Sequence, residues 1–203
     1  MKKTGIFKSM RKLREIGRER TGVAAVEFAL VVPFIIVIFL ASVDAVFALT
    51  AKRKVSVATY SIAEVSSREL NLADDDLSTI ADLGRLILTP FNADQSRISI
   101  TGAEVMSNGN QAIVRWSHLS AAPQGAAGQP TGNIVNEFTD GEIINLNANL
   151  SPGTFLVQSA IELPYRSFFE FLETRFNEGN LFTLSDRAYS QSRSGTEITN
   201  LDL

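Results

Sequence analysis

The feature that most constrains this chain is an uninterrupted apolar run near its N-terminus. Residues 28–43 read FALVVPFIIVIFLASV, and the wider segment 23–49 is almost wholly apolar. As a helix at about 1.5 Å per residue, this wider segment reaches about 40 Å, which exceeds a bilayer core of about 30 Å. A helix that is apolar on every face is difficult to bury in one small soluble domain. The run therefore predicts a transmembrane helix over residues 23–49 rather than a buried core helix.

The charged residues are sorted along the chain around this run. Residues 1–22 carry eight basic and two acidic side chains, a net charge of +6, whereas the whole chain carries −3 and the remainder therefore −9. A basic segment directly before a span favours a cytoplasmic N-terminus. Three basic residues at 52–54 oppose this orientation, but they are fewer. We therefore expect a cytoplasmic leader (1–22), one span (23–49) and an acidic head (50–203) outside the cytoplasm.

The composition excludes several kinds of chemistry. The chain has no cysteine and one histidine, His118, which excludes disulfides, cysteine-ligated metals, thiol catalysis and any site that needs two imidazoles. Phosphate-binding glycine loops, nucleophile elbows and metal-ligand spacings are also missing from the sequence. The acidic head disfavours nucleic-acid binding. We expect a protein that is not an enzyme and that uses no cofactor and no metal.

One carboxylate, Glu27, lies inside the apolar segment, where a charge is costly. The next basic residue is Lys52, so the following part of the span provides no partner. A cut between Gly22 and Val23 would create an α-ammonium group at Val23, four residues and about one helical turn before Glu27. The ammonium and the carboxylate can pair within one chain or between neighbouring helices. In the second case the pairing fixes the axial register of the two subunits.

These residues carry a resemblance to a known family. The order is a basic leader, Gly22, the small apolar stretch 23–26, Glu27 as the fifth residue after the junction, and then a hydrophobic helix. This order is similar to a type IV prepilin signal. The segment RERTGVAAVEFALVVPFIIVIF most resembles the TadE/TadG-like pseudopilins of the tight-adherence (Tad/Flp) pilus system. The major pilins of that system usually have Tyr after the Glu and are very short, whereas this chain has Phe28 and a long head.

The resemblance implies a processing site, a role and a location. It implies cleavage after Gly22 by a prepilin peptidase, methylation of Val23 in some members, and subunit registration by Glu27. It implies a minor pseudopilin in the bacterial inner membrane, with partners among other pilins and pseudopilins, the Tad assembly machinery and the lipid bilayer. The head is expected in the periplasm, with incorporation into an extracellular pilus as one outcome. The span residues singled out are Phe28, Pro33, Phe34, Phe39 and Leu40, and Pro33 is expected to introduce at most a kink.

The head is expected to begin with the same helix that crosses the membrane. An apolar stripe with steps of three and four extends this helix to about Leu70. Three carboxylates at 74–76 predict the start of a second helix, which Pro90 follows, because they cap free amides and meet the positive end of the helix dipole. Calcium binding by the three carboxylates is the alternative, although consecutive residues lack the alternation of a calcium loop.

After residue 96 the period changes to two, which predicts strands. Gly102 is expected at a bulge and Asn108-Gly109 at a hairpin turn, with Ala112, Val114 and Trp116 on one face of the second strand. Residues 120–133 read as an exposed loop, and residues 142–146 as a short strand or helical turn. Residues 154–163 alternate as a strand that Pro164 ends, and residues 181–193 form the last strand. The aromatic residues of 168–176 belong either to the core or to an exposed patch.

The predicted fold class is α+β and pilin-like. It consists of a long N-terminal transmembrane helix that continues into a soluble head, with a second helix and a mostly antiparallel meander sheet of about four strands. Two other functions stay open at this point. One is a secreted protein whose signal peptide is cut after residue 48, and the other is an uncleaved single-pass protein with a periplasmic binding or scaffold domain.

Overall fold

A computed structural model describes residues 20–69, 71–91, 93–120, 134–146, 149–165, 167, 182–193 and 197–201. The leader up to residue 19, the loop 121–133 and the aromatic segment 168–176 therefore lie outside the described residues. The chain divides into two compact units, Met1–Ala45 and Val46–Leu203. The first unit contributes the N-terminal part of the helix α1 (Arg20–Ser66), which is 47 residues long and contains Pro33 without ending there. The second unit includes the expected head (50–203) and contains the rest of α1 and all other elements of the described residues.

The head has the α+β composition that the sequence predicts. In chain order its further elements are β1 (Asn71–Leu72), α2 (Asp74–Leu88), a short 3₁₀ turn (Ala93–Gln95), β2 (Arg97–Val105), β3 (Gln111–Ser120), β4 (Ile143–Asn145), β5 (Phe155–Tyr165), β6 (Phe182–Gln191) and β7 (Thr199–Asn200). The long helix ends at Ser66, four residues before the expected Leu70, and its last turn closes through a hydrogen bond from Ser67 N to Ala63 O (3.0 Å).

The main sheet has five strands rather than about four, and it is not a meander. Its order is β4-β3-β2-β5-β6, and every pairing is antiparallel. Strand β5 pairs with β2 on the side away from β3, so the chain crosses the sheet between β4 and β5. A second, parallel pair forms between β1 and β7 and joins the C-terminal segment to the loop before α2. The sequence pattern did not predict this pair, because each strand has two residues.

The inner face of the sheet, which packs on α1 and α2, carries the larger core. Val55, Ala58 and Ile62 of α1 are buried there against residues of α2, β2 and β5. The predicted face of β5 is confirmed, since Phe155, Val157, Ile161 and Leu163 all belong to this core. Ser159, on the same face, donates a hydrogen bond to Thr59 O of α1 (2.5 Å). Strand β5 does not end at Pro164 as expected, because Pro164 pairs with Thr183 of β6 and the strand continues to Tyr165.

The predicted bulge at Gly102 is confirmed, and it changes the facing of β3. The register shifts between Gly102 and Ala103, where Gly102 pairs with Trp116 but Ala103 pairs with Val114. Trp116 therefore belongs to the core of the inner face, whereas Val114 belongs to a second core on the outer face. The expectation that Val114 and Trp116 share one face is wrong. Arg115 has no partner on β2 at the bulge, so the inward-facing and outward-facing positions of β3 change places there.

A buried carboxylate, that of Glu162, holds the backbone of Ile134 and Val135. The side chain of Glu162 on β5 is 0% exposed. Its Oε1 accepts hydrogen bonds from the backbone N–H groups of Ile134 (2.7 Å) and Val135 (3.1 Å), and its Oε2 accepts one from Arg97 (3.3 Å). Arg187 donates to the carbonyl of Ile134 (3.2 Å). A charge-assisted cluster of this kind offsets the cost of burying Glu162, since most of its hydrogen-bonding capacity is used.

Candidate membrane anchor and assembly site

The N-terminal half of α1 presents apolar side chains to the outside on all of its faces. The most apolar window of the helical segment Gly22–Ser66 has a mean hydropathy of 2.8, and 0% of that window is buried. This segment is long and apolar enough to cross a membrane. A buried core helix of a soluble domain is therefore the wrong interpretation of this run. The exposed side chains include Phe28, Phe34 and Phe39; Pro33 is exposed as well, and Leu40 is partly buried.

The residues predicted to be processed and to register subunits all lie on this exposed helix. Gly22, Val23 and Glu27 are exposed, and a side-chain atom added at Gly22 would meet nothing within 4 Å. Because Val23 and Glu27 are four residues apart in a helix, they lie on the same face about one turn apart. The helix therefore places the backbone nitrogen of Val23 and the carboxylate of Glu27 on one side, where a neighbouring helix can reach both.

Two lysines of α1 fasten this helix to the rest of the head just after the predicted span. Lys52 Nζ donates to Ser185 O on β6 (2.5 Å) and lies 3.5 Å from Asp186 Oδ2. Lys54 Nζ donates to two carbonyls at the C-terminal end of α2, Ile87 O (3.1 Å) and Thr89 O (2.5 Å). Carbonyls at a helix end carry partial negative charge, so a lysine stabilises them. The sequence shows the basic residues but gives no sign of these partners, because both are remote along the chain.

Asp186 is the centre of the contact between α1 and β6. Ser56 on α1 donates a hydrogen bond to its Oδ2, and the backbone N–H of Arg187 donates to its Oδ1 (3.0 Å). Partial burial raises the pKa of Asp186, but the hydrogen bonds from Ser56 and Arg187 and the charge of Lys52 outweigh it, so the pKa is lowered overall. The carboxylate is therefore held in its charged form in the folded head.

This shift predicts how the contact depends on pH. A lowered pKa in the folded state contributes stability above the ordinary aspartate pKa of about 4, and the contribution is lost as pH falls through the folded-state value. We expect Asp186→Asn to destabilise the full chain in detergent by about 1 kcal/mol at pH 7 and by progressively less below about pH 4. Urea unfolding followed by the fluorescence of Trp116, the single tryptophan, measures both values. A wild-type-to-mutant difference that stays constant from pH 7 to pH 3 would contradict this assignment.

The acidic residues 74–76 act as a helix start, as the sequence predicts. They form the first turn of α2, and Asp76 Oδ2 accepts a hydrogen bond from Ala73 N (3.1 Å). Asp74 Oδ1 accepts one from Asn200 (3.3 Å) and lies 3.6 Å from His118 Nδ1. These contacts connect α2 to β3 and β7. Among the described residues no group of three or more potential metal ligands is found, so the calcium alternative gains no support.

Together these features define a protein with an N-terminal hydrophobic helix, long enough to cross a bilayer, and an α+β head. Residues 22–64 match the family model described as TadE-like protein. The resemblance to TadE/TadG-like proteins is therefore confirmed over this segment, which covers the N-terminal helix almost to its end. No curated protein and no solved structure matches the chain.

Proposed function

We propose that this protein is a minor pseudopilin that takes part in assembly of a Tad-type (Flp) pilus. The observation that carries the proposal is the position of the TadE-like match, which begins at Gly22 and includes Val23, Glu27 and the whole predicted span. The proposed protein is a substrate of a prepilin peptidase and not an enzyme. Its N-terminus is cytoplasmic, its helix crosses the bacterial inner membrane once, and its head lies in the periplasm.

The first proposed step is hydrolysis of the peptide bond between Gly22 and Val23 by the membrane peptidase. Hydrolysis removes the basic leader and leaves an ammonium group on Val23. The absence of a side chain at Gly22 and the open space around it suit a narrow protease site. The mature side chains then carry −9 in place of −3, because the leader contributes +6. The leader thus acts as a removable topology signal.

The second proposed step is packing of the mature helix against helices of other pilus subunits. In an apolar bundle, Glu27 of one subunit pairs with the ammonium group on Val23 of its neighbour. An unpaired charge in such a bundle is strongly unfavourable, so only the register that pairs both groups is stable. The exposed apolar side chains around α1 provide the packing surface, and the head contacts other components of the assembly machinery.

The sequence of the mature N-terminus distinguishes this proposal from its two alternatives. A mature protein that begins at Val23 supports the pseudopilin. One that begins at Leu49 identifies a secreted protein with an ordinary signal peptide, and one that begins at Met1 identifies an uncleaved membrane anchor. The measurement is Edman degradation or mass spectrometry of the protein isolated from its own membrane fraction.

The proposal also predicts a processing mutant. We expect Gly22→Ala to leave the full-length precursor in the membrane, because an added methyl group at the residue before the cut is excluded by the peptidase. An immunoblot against the head separates the precursor from the mature form. Thr21→Ser, one residue earlier, is the matched control and is expected to be processed normally. Mature protein with Val23 at its N-terminus in the Gly22→Ala strain would overturn the cleavage assignment.

A further inference from the structure

The second half of α1 and the helix α2 lie side by side and run in opposite directions. Three pairs of residues, one from each helix, fix this arrangement: Lys54 with Ile87, Ile62 with Gly84, and Val65 with Asp76. The first pair is a hydrogen bond, the second a close approach that glycine permits, and the third lines one open cavity of about 340 Å³. Residue numbers rise along α1 as they fall along α2, so a level of one helix corresponds to a level of the other to within about one helical turn.

The outward side of α1 carries an apolar centre with basic residues at both ends. Arg53, Val57, Tyr60 and Glu64 follow one another at steps of four, three and four, which places them on one line of the helix. Arg68 lies in the turn just after the helix and donates a hydrogen bond to Glu64 (2.9 Å). Val57 is 56% exposed and Tyr60 is 63% exposed. Two large apolar side chains on one line, after the predicted span in the sequence, are therefore left in solvent.

The outward side of α2 carries the complementary pattern. Asp75, Thr79, Leu83 and Leu86 also follow one line of the helix, with Leu83 53% and Leu86 70% exposed. The apolar pair lies toward the C-terminal end of α2, level with Val57 and Tyr60, while Asp75 at the other end is level with Arg68. Apolar residues thus share one level on both helices, and opposite charges share another.

We propose that this helical face binds a second copy of the same chain, with α1 of each copy packed on α2 of the other. A two-fold axis parallel to the two helices produces this arrangement, because two identical faces that meet exchange left and right without any change of level along the helices. Val57 and Tyr60 then meet the partner's Leu83 and Leu86 in a self-complementary interface.

Charge selects this pairing over the contact of α1 with α1. In the proposed dimer Arg68, which pairs with Glu64 of its own chain (2.9 Å), also lies opposite the partner's exposed Asp75, so opposite charges meet there. A direct contact between the two α1 helices would place Arg53 opposite Arg53 and Arg68 opposite Arg68. The inference concerns the head alone and does not depend on cleavage after Gly22.

Disulfide crosslinking tests the proposal cleanly, because the chain contains no cysteine and each introduced thiol is unique. Two differently tagged full-length chains, one Tyr60→Cys and the other Leu83→Cys, are produced together and oxidised in native membranes. We expect a disulfide dimer that contains both tags, at a yield severalfold above that of the control pair Ser107→Cys and Leu83→Cys. Ser107 is also exposed, but it lies in the turn between β2 and β3, away from the helices.

Three outcomes would overturn the proposal. The first is a crosslinking yield no higher than that of the control pair. The second is equal crosslinking of two Tyr60→Cys chains with each other, because this indicates contact between the α1 helices. The third is crosslinking only to a different protein. A second measurement uses purified full chain in detergent. Leu83→Asp is expected to raise the dimer dissociation constant at least tenfold, about 1.4 kcal/mol, in sedimentation equilibrium. Unchanged Trp116 fluorescence shows that this variant stays folded, and an unchanged dissociation constant in the folded variant contradicts the proposal.

Discussion

Gly102→Ala is expected to destabilise the head by about 2–4 kcal/mol, a large part of the stability of an ordinary domain. A Cβ atom at this position would overlap the indole of Trp116, 2.6 Å from Cζ2 and nearer still to Cε2 and Nε1. The ring is only 2% exposed and its Nε1 donates to Ile198 O (2.7 Å), so it has no free space to enter. Displacing it also breaks the hydrogen bond that holds the C-terminal segment.

The contrast with Gly84 makes this prediction specific. A Cβ atom at Gly84 would overlap Cδ1 of Ile62 and come within 3.1 Å of its Cγ1, so this buried side chain must turn, but alanine gains about 1 kcal/mol of helix propensity over glycine in return. Gly84→Ala should therefore destabilise the head by less than Gly102→Ala, which displaces a rigid ring and breaks a hydrogen bond with no such gain. Urea unfolding of the full chain in detergent, followed by circular dichroism, measures both variants. If the two substitutions destabilise the head equally, the close approach of Trp116 is not the reason that residue 102 must be glycine.

A double-mutant cycle isolates the contact itself. When Trp116 is replaced by Leu, the indole atoms that a methyl group at residue 102 would strike are removed. The cost of Gly102→Ala should then fall by at least about 1 kcal/mol relative to its cost in the wild type, since residues in contact do not act independently. Additive effects of the two substitutions would contradict the proposed clash.

Local signals predicted most of the elements of the head. The acidic residues 74–76 mark the first turn of α2, and its predicted start is confirmed because helix capping depends on neighbouring residues only. The turn at Asn108-Gly109 is confirmed for the same reason: Gly109 has a φ of 72°, which glycine adopts at little cost. The bulge at Gly102 was visible as a break in the alternation of β2. Its effect on Trp116 was not, because that depends on which residue of β3 is skipped.

The order of the strands and the polar contacts between them could not be predicted. The pairing of β5 with β2 depends on the whole set of buried faces, and the sequence alternation of β5 is the same whichever strand lies beside it. Pro164 is typical of a strand end, yet β5 continues to Tyr165 because Pro164 pairs with Thr183 of β6. The role of Glu162 is also absent from the sequence pattern. Its burial depends on Arg97 and on the backbone of residues 134 and 135, which are remote along the chain.

At the proposed assembly site, the sequence predicts the residues and the fold adds little. Gly22, Val23 and Glu27 could be selected from the sequence alone, because a charge in an apolar run and a basic leader before it are unusual together. The fold adds little at these three residues beyond a continuous, exposed helix. The fold adds more around residues 52–54, where two of the three basic side chains turn out to hold β6 and the end of α2. That role depends on long-range contacts and has no sequence signature.

Glu27→Gln is expected to leave processing intact and to abolish incorporation of the protein into the proposed pilus assembly. In the proposed assembly, the substitution removes the charge that pairs with the ammonium group of the neighbouring Val23, and it keeps the size of the side chain. Removing one partner of a buried ion pair costs about 3–5 kcal/mol, which weakens each subunit contact by more than about a hundredfold. The measurement combines an immunoblot for cleavage with crosslinking and electron microscopy of assembled pili.

Glu27→Asp separates charge from position. Aspartate keeps the carboxylate but shortens its reach by one methylene group, so a partial loss of assembly is expected, between those of wild type and Glu27→Gln. Phe28→Leu, the adjacent apolar substitution, is the matched control, because it preserves the charge and the hydrophobicity of the span. Pili that assemble normally with Glu27→Gln would remove the registration role while leaving cleavage after Gly22 intact. The carboxylate would then need another reason to lie in an apolar helix, such as recognition by the peptidase, which slower processing of the same variant would reveal.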